Sequence, residues 1–201
     1  MAIKLIVGLG NPGNEYVKTR HNAGFWWIDE LCRNERISLK AEKKFHGHAA
    51  RMTHSGQDLW LLQPMTFMNA SGKAVQALAT FYKIQPAEIL VVYDELDLLP
   101  GTVKMKQGGS GSHNGLRDIV AHLGATDFWR LRIGIGHPGD RNAVIGYVLQ
   151  APRADERDAI EDSITRSLKV FPDIARGDLQ AAMLKLHTRP KVDTDLKEEK
   201  K

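Results

Sequence analysis

The segment Tyr16-Val-Lys-Thr-Arg-His21-Asn22-Ala-Gly24 puts a histidine immediately ahead of an apolar run with helical spacing. Imidazole exchanges a proton near neutral pH, and the positive end of a helix dipole disfavours imidazolium, so His21 is placed to stay neutral and act as a base. Asn22 beside it suits a helix N-cap. In Asp94-Glu95-Leu-Asp97 the acids follow a run that reads as a buried strand. A carboxylate there projects into an α/β site, where it can fix a histidine's tautomer and stabilise the imidazolium formed in a reaction. Three acids so close also suit a divalent cation, but no His and Asp pair at ligand spacing accompanies them. Thr66-Phe-Met-Asn69-Ala-Ser-Gly precedes a second helical pattern. Asn69 can cap that helix, or use its amide to orient water or hold a carbonyl, with Phe67 and Met68 forming an apolar wall or a stacking face. His46, His48 and His54 share the parity of one strand face, but no carboxylate or thiolate cluster accompanies them, and no metal site is expected.

Two glycine-rich segments complete the inventory. Gly8-Leu-Gly10-Asn-Pro-Gly13 matches a dinucleotide fingerprint in letters. Its context differs: Pro12, Gly13 and Asn14 are turn formers where the fingerprint needs a helix, and Asp29 and Glu30 lie in a helix instead of at a second strand's end. A tight turn is expected there, with Asn11 at the carboxyl end of the first strand. Lys104-Met-Lys106-Gln-Gly-Gly-Ser-Gly-Ser-His113-Asn114-Gly115 reads as a glycine-rich loop entering a helix, able to offer backbone N–H groups to anions, though it lacks the Gly-Lys-Ser/Thr of a P-loop. With Arg117, Arg130, Arg132 and Arg141 it is a candidate phosphate-binding rim.

The elements that must position these groups follow from periodicity. Ile3 to Leu9 reads as a strand, and Phe25, Ile28 and Cys32 mark a helix running to about Ile37. Phe45 to His54 and Asp58 to Gln63 flank Ser55-Gly56-Gln57 as a hairpin. Ala70 to Lys83 is a helix, Ile89 to Tyr93 a buried strand, Leu116 to Leu123 a helix and Trp129 to Ile135 a strand. Two closing helices, around Ile160 to Phe171 and Leu179 to Leu186, are separated near Pro172 and Gly177. The pattern predicts one α/β domain over residues 1–187, a twisted mixed sheet flanked by helices, followed by a charged and disordered tail at 188–201.

Composition narrows the classes. The one cysteine, Cys32, cannot form an intrachain disulfide; no secretory signal opens the chain and no apolar run is long enough for a bilayer, which points to the cytosol and away from a membrane. Net charge is only +4, but six cations (Lys104, Lys106, Arg117, Arg130, Arg132, Arg141) and three anions fall between Thr102 and Arg141, whereas Arg153 to Asp178 is richer in acids. A charged face suited to a polyanion is expected.

Taken in order, GLGNPG, Tyr16 with TRHNAG, TFMNASG, DELDLLPG, HNGL and RLRIGIGHPGD resemble bacterial peptidyl-tRNA hydrolase, over roughly Ile3 to Gln150. The resemblance implies a monomeric, cytoplasmic α/β hydrolase, free of metal and cofactor, that cleaves the ester between a peptide and the 3′-terminal ribose of tRNA. By matching position it implies His21 as the base that activates water, Asp94 as support for the ring, and Asn69 as a group that positions substrate or water. Asn11 would recognise the peptide, His113 and Asn114 would contact substrate, and Tyr16 and Phe67 would lie around the tRNA end. Lys104, Lys106, Arg132 and Arg141 would form the basic rim. The chain departs from the family pattern at Gln107 and Ser112, where glycine is usual, which leaves the loop conformation and the exact place of Asn114 open, while the motifs of His21, Asn69 and Asp94 stay intact and activity is expected to be kept. A nicotinamide enzyme would need the missing acidic residue. A non-catalytic RNA-binding module would account for the basic stretch but not for the His, Asn and Asp motifs.

Overall fold

The first apolar run forms β1 (Leu5–Gly8), whose four residues are all buried, as suits a strand covered on both faces. The computed structural model describes residues 2–109 and 111–188. After β1 the chain makes a 3-10 turn at Arg20–Asn22 and enters α1 (Ala23–Glu35). It continues through β2 (Lys40–Glu42), the hairpin of β3 (Gly47–His54) and β4 (Gln57–Pro64), α2 (Ser71–Phe81), β5 (Ile89–Glu95), β6 (Val103–Gln107), α3 (Asn114–Leu123) and β7 (Trp129–Gly134). Four helices close it: α4 (Val144–Val148), α5 (Ala154–Leu168), α6 (Phe171–Arg176) and α7 (Leu179–His187). The hairpin turn is Ser55-Gly56, with φ of 51° and 77°, the positive pair that matches the twist of the flanking strands.

The sheet has seven strands in the order β2-β3-β4-β1-β5-β7-β6. β4, β1, β5 and β7 run parallel; β2 and β3, β3 and β4, and β6 and β7 pair antiparallel, so the sheet is mixed. Strand alternation divides the core. Ile6, Leu90, Val92, Leu131 and Ile133 pack with Trp27, Leu31, Ile160 and Ile174 from α1, α5 and α6. Leu5, Val7, Val91 and Tyr93 pack with Val75, Leu78, Leu116 and Ile119 from α2 and α3. The result is helix, sheet, helix.

The start of α1 lies directly on the end of β1 because neither chain has a side chain there. A Cβ on Gly24 would sit 2.4 Å from Leu9 N and from Val92 O, and one on Gly8 would sit 2.4 Å from Gly24 O. The glycine that permits close packing of helix on strand is therefore Gly24, eleven residues beyond the Gly13 of the fingerprint.

Four elements differ from the periodicity reading, one of them the three-residue edge strand β2 (Lys40–Glu42) that it did not foresee. Val103–Gln107 is a strand at the sheet edge, not the approach to a loop, and the glycines that turn the chain begin only at Gly108. Val144–Val148 adds a short helix. Pro172 lies in the first turn of α6, where its missing N–H removes no hydrogen bond, so the two closing helices expected after Arg153 are three, α5, α6 and α7. Of the expected tail at 188–201 only Thr188 is described, so its disorder lies outside the described residues.

Candidate active site

The carboxyl ends of β1 and β5 and the start of α3 meet at a cleft of about 910 Å³. Its polar end is lined by Asn11, His21, Asn69, Asp94, His113 and Asn114. His21 comes from the 3-10 turn ahead of α1, Asp94 from β5, and His113 from the residue preceding α3.

Asp94 is 2% exposed, so its charge needs partners, and it has two. Oδ2 lies 2.8 Å from His21 Nδ1 and Oδ1 lies 2.8 Å from His113 Nε2, with the rings 5.0 Å apart. Burial alone would raise the Asp94 pKa; the two imidazoles and their hydrogen bonds overcome it and hold the carboxyl well below the usual range. At His21 burial favours the neutral ring, but the Asp94 charge and hydrogen bond outweigh it, and the pKa is raised above 6.5. The helix-dipole expectation of a depressed value is thus corrected, because a bonded carboxylate acts at shorter range than the turn ahead of α1. With Nδ1 engaged by Asp94, the atom of His21 left to exchange protons with the cleft is Nε2.

Asn22 lies at the cap position of α1 without a side-chain cap bond. Its amide pairs instead with the Asn11 backbone: Asn11 N–H donates to Asn22 Oδ1 at 2.9 Å, and Asn22 Nδ2 donates to Asn11 O at 3.0 Å. Asn11 Oδ1 accepts the Met68 N–H at 2.7 Å, which leaves its Nδ2 donors for the cleft. Asn69 does not cap α2; the preceding residue is Ala70 and no side-chain bond is made, so the exposed Asn69 amide is free to face the cleft. Arg20, beside His21, is buried and donates to the carbonyls of Tyr147, Gln150 and Ala151 and to Glu156, fastening the segment around α4 to the turn that carries His21. Sequence reasoning passed over Arg20, and its only signal was a charged residue within an otherwise compact motif.

The cations gather by register. Lys104 stands opposite Arg132 and Lys106 opposite Arg130 across β6 and β7, and Tyr93 stands beside Arg132 across β5 and β7, so all five share the sheet face that carries α2 and α3. Lys106, Arg117, Arg132 and Arg141 line the cleft. Lys104, which is exposed, and Tyr16 are not among the lining residues; Tyr16 instead meets Phe67 edge-on at 6.4 Å. Burial and the neighbouring Arg132 and Arg130 lower the Lys106 pKa. Gln107 closes β6 and donates to Asp127 O at 3.0 Å, while Gly108 and Gly109 supply the positive φ of the turn and Ser112 lines the cleft.

Among the described residues, one group has ligand atoms close enough to share a cation, namely His21, Asp94 and His113, all within 4.8 Å. Each Asp94 oxygen already serves one ring, an arrangement suited to proton handling. Of His46, His48 and His54, His46 precedes β3 in a left-handed turn and His54 lies 3.3 Å from Glu35, so the shared strand face reduces to His48 and His54.

Residues 5–195 match the family model described as peptidyl-tRNA hydrolase. The peptidyl-tRNA hydrolase of Nitrosospira multiformis is 59% identical over 188 residues, covering 93% of this chain and 98% of its own. A crystal structure of peptidyl-tRNA hydrolase in complex with N-propanol superposes with a TM-score of 0.91 at 46% identity, covering 94% of this chain and 96% of that one. The structure from Acinetobacter baumannii gives 0.89 at 47% identity, covering 92% and 94%. Since the likeness in sequence and in fold runs through nearly the whole length of both partners, the chain belongs to the peptidyl-tRNA hydrolase family.

Proposed function

We infer that this chain hydrolyses the ester joining a peptide, or an N-blocked aminoacyl group, to the 3′-terminal ribose of tRNA, and so returns tRNA from peptidyl-tRNA dropped by ribosomes. Family membership supports the substrate. The observation that carries the mechanism is the 2.8 Å bond from Asp94 to His21 Nδ1, which turns Nε2 of a buried imidazole toward the cleft as a general base.

Nε2 takes a proton from water as the water oxygen attacks the ester carbonyl. Asp94 stabilises the imidazolium formed, and the same proton passes to the ribose 3′-oxygen as the tetrahedral intermediate collapses to a carboxylic acid and free tRNA. The developing oxyanion needs donors, which the Asn11, Asn69 and Asn114 amides can supply. Asn11 also accounts for selectivity. Its oxygen is held by Met68 N–H, so it offers only donors to the cleft. A peptide carbonyl accepts such a donor, whereas a free α-ammonium is itself a donor and finds no partner. Phe67, edge-supported by Tyr16, provides a stacking face for the terminal nucleoside. Lys104, Lys106, Arg132 and Arg141 are assigned to phosphates, and His113 holds Asp94 from the other side. The activity is assigned to a monomer, and among the described residues no helix is long and apolar enough to cross a membrane. Cytoplasmic action follows from the proposed substrate.

The test is release of an N-acetyl-aminoacyl group from tRNA beside free aminoacyl-tRNA, with a chelator in both reactions. Chelator-resistant hydrolysis of the blocked substrate alone is expected. Equal hydrolysis of both substrates would remove the role given to Asn11, and no hydrolysis by folded protein that binds tRNA would overturn the reading.

A further inference from the structure

Within the cationic face stands a carboxylate held by hydrogen bonds. Glu95, the last residue of β5, accepts Arg132 Nε at 2.9 Å and the Tyr93 hydroxyl at 3.2 Å through Oε2, and the Asp97 N–H at 3.2 Å through Oε1. The Arg132 and Glu95 side chains are only 19% and 15% exposed, so salt screens this pair less than a surface bridge. Glu95 and Arg132 both line the cleft, one residue from Asp94 and beside Lys106.

A carboxylate presents two oxygens to a guanidinium much as a phosphate does. We propose that Glu95 acts as an internal competitor of RNA phosphate for Arg132, lowering the affinity for tRNA and hastening departure of the spent product. The proposal rests on the assignment of Arg132 to phosphate. A phosphate reaching Arg132 must displace Glu95 or share the guanidinium with it, and in either case two anions meet. Substrate and product carry the same tRNA phosphates, so tight phosphate binding holds both equally and does nothing for the chemical step. Glu95 weakens that uniform binding while leaving Arg132 ordered between turnovers by its carboxylate bond.

Glu95→Gln removes the charge and keeps one acceptor oxygen, enough for Tyr93 and Arg132 on one side or for the Asp97 N–H on the other but not for both. The measurement is the equilibrium affinity and dissociation rate of deacylated tRNA across a salt series, for the wild type, Glu95→Gln, Arg132→Gln and the double variant. Glu95→Gln is expected to tighten tRNA binding by about tenfold at low salt, slow its release and steepen the salt slope by about one, with none of this in the Arg132→Gln background. Unchanged affinity in Arg132→Gln would take away the phosphate contact on which the proposal stands. Weaker binding in Arg132→Gln, together with unchanged or weaker binding in Glu95→Gln, would overturn the competitor role alone and leave the pair as support for the fold. Should Glu95→Gln fail to fold, Glu95→Asp keeps the charge but withdraws it from Arg132; tighter binding is expected, and unchanged or weaker binding overturns the proposal.

Discussion

Asp94 serves two imidazoles at once, and that sharing sets what a conservative change there does. A carboxylate accepts from both rings, whereas an amide accepts through one atom and donates through the other. Asp94→Asn therefore forces one ring into the other tautomer and removes the charge that stabilises imidazolium. Turnover is expected to fall by about 10²- to 10⁴-fold with tRNA affinity largely kept; a variant within a few-fold of wild type in single-turnover assays would contradict the assignment. The pH profile gives a second reading. A base must be neutral to act, and Asp94 raises the His21 pKa, so kcat/KM is expected to climb with pH through a value above 6.5 and level off beyond it. Without the carboxylate, burial favours the neutral ring and the residual activity should level off at lower pH; an unmoved limb would mean that another group titrates. His21 and Asp94 were legible in the sequence because each sits where a single element ends. That His113 binds the same carboxylate was not, since it depends on two loops meeting in space. The amides of Asn22 and Asn69 looked like caps because the helix starts on either side of them were visible and their tertiary partners were not.

At the scale of elements, the site depends on α1 starting directly above the end of β1, which carries His21 toward Asp94 on the neighbouring β5. The contact at Gly24 is with backbone on both sides, Leu9 N and Val92 O, and neither can move without disturbing the sheet. Gly24→Ala is expected to destabilise the fold by about 1–3 kcal/mol in chemical denaturation, and to lower kcat in the protein that remains folded. A denaturation midpoint equal to wild type would show that the crossing is looser than the geometry requires. Central strands and the longer helices were legible from period alone, because burial on both faces or along one stripe writes itself into residue type. β6 was not, although Val103-Lys-Met105-Lys alternates: an edge strand whose outer face is cationic resembles the start of a basic loop. α4 and α6, of five and six residues, are too short to display a period, and Pro172 reads as a break until its place in a first turn is known.

Over the whole molecule the linear charge blocks become two sides of the sheet. The register of β6 and β7 sets Lys104, Lys106, Arg130 and Arg132 on the side of α2 and α3, while α5, with Asp155, Glu156, Asp158, Glu161 and Asp162, packs on the other. The sequence carried the segregation as blocks, but only strand register decides that the cations of two strands share one face. An RNA approaching such a molecule is drawn to the cationic side, whereas four of the five acids of α5 are paired with Arg20, Arg153, Arg157 and Arg166, so that side offers no comparable attraction. The field acts on encounter and on phosphate binding, not on proton transfer at His21. Salt should therefore reduce kcat/KM while leaving kcat nearly constant. If three of these cations meet phosphate, a rise from 50 to 200 mM salt should lower tRNA affinity roughly twenty- to fortyfold. Lys104→Ala, at an exposed strand position opposite Arg132, should lessen the salt slope by about one without altering kcat. A wild-type affinity that does not vary with salt would mean that the cationic face does not meet the phosphates, and the weight of recognition would then pass to the cleft's amides and to Phe67.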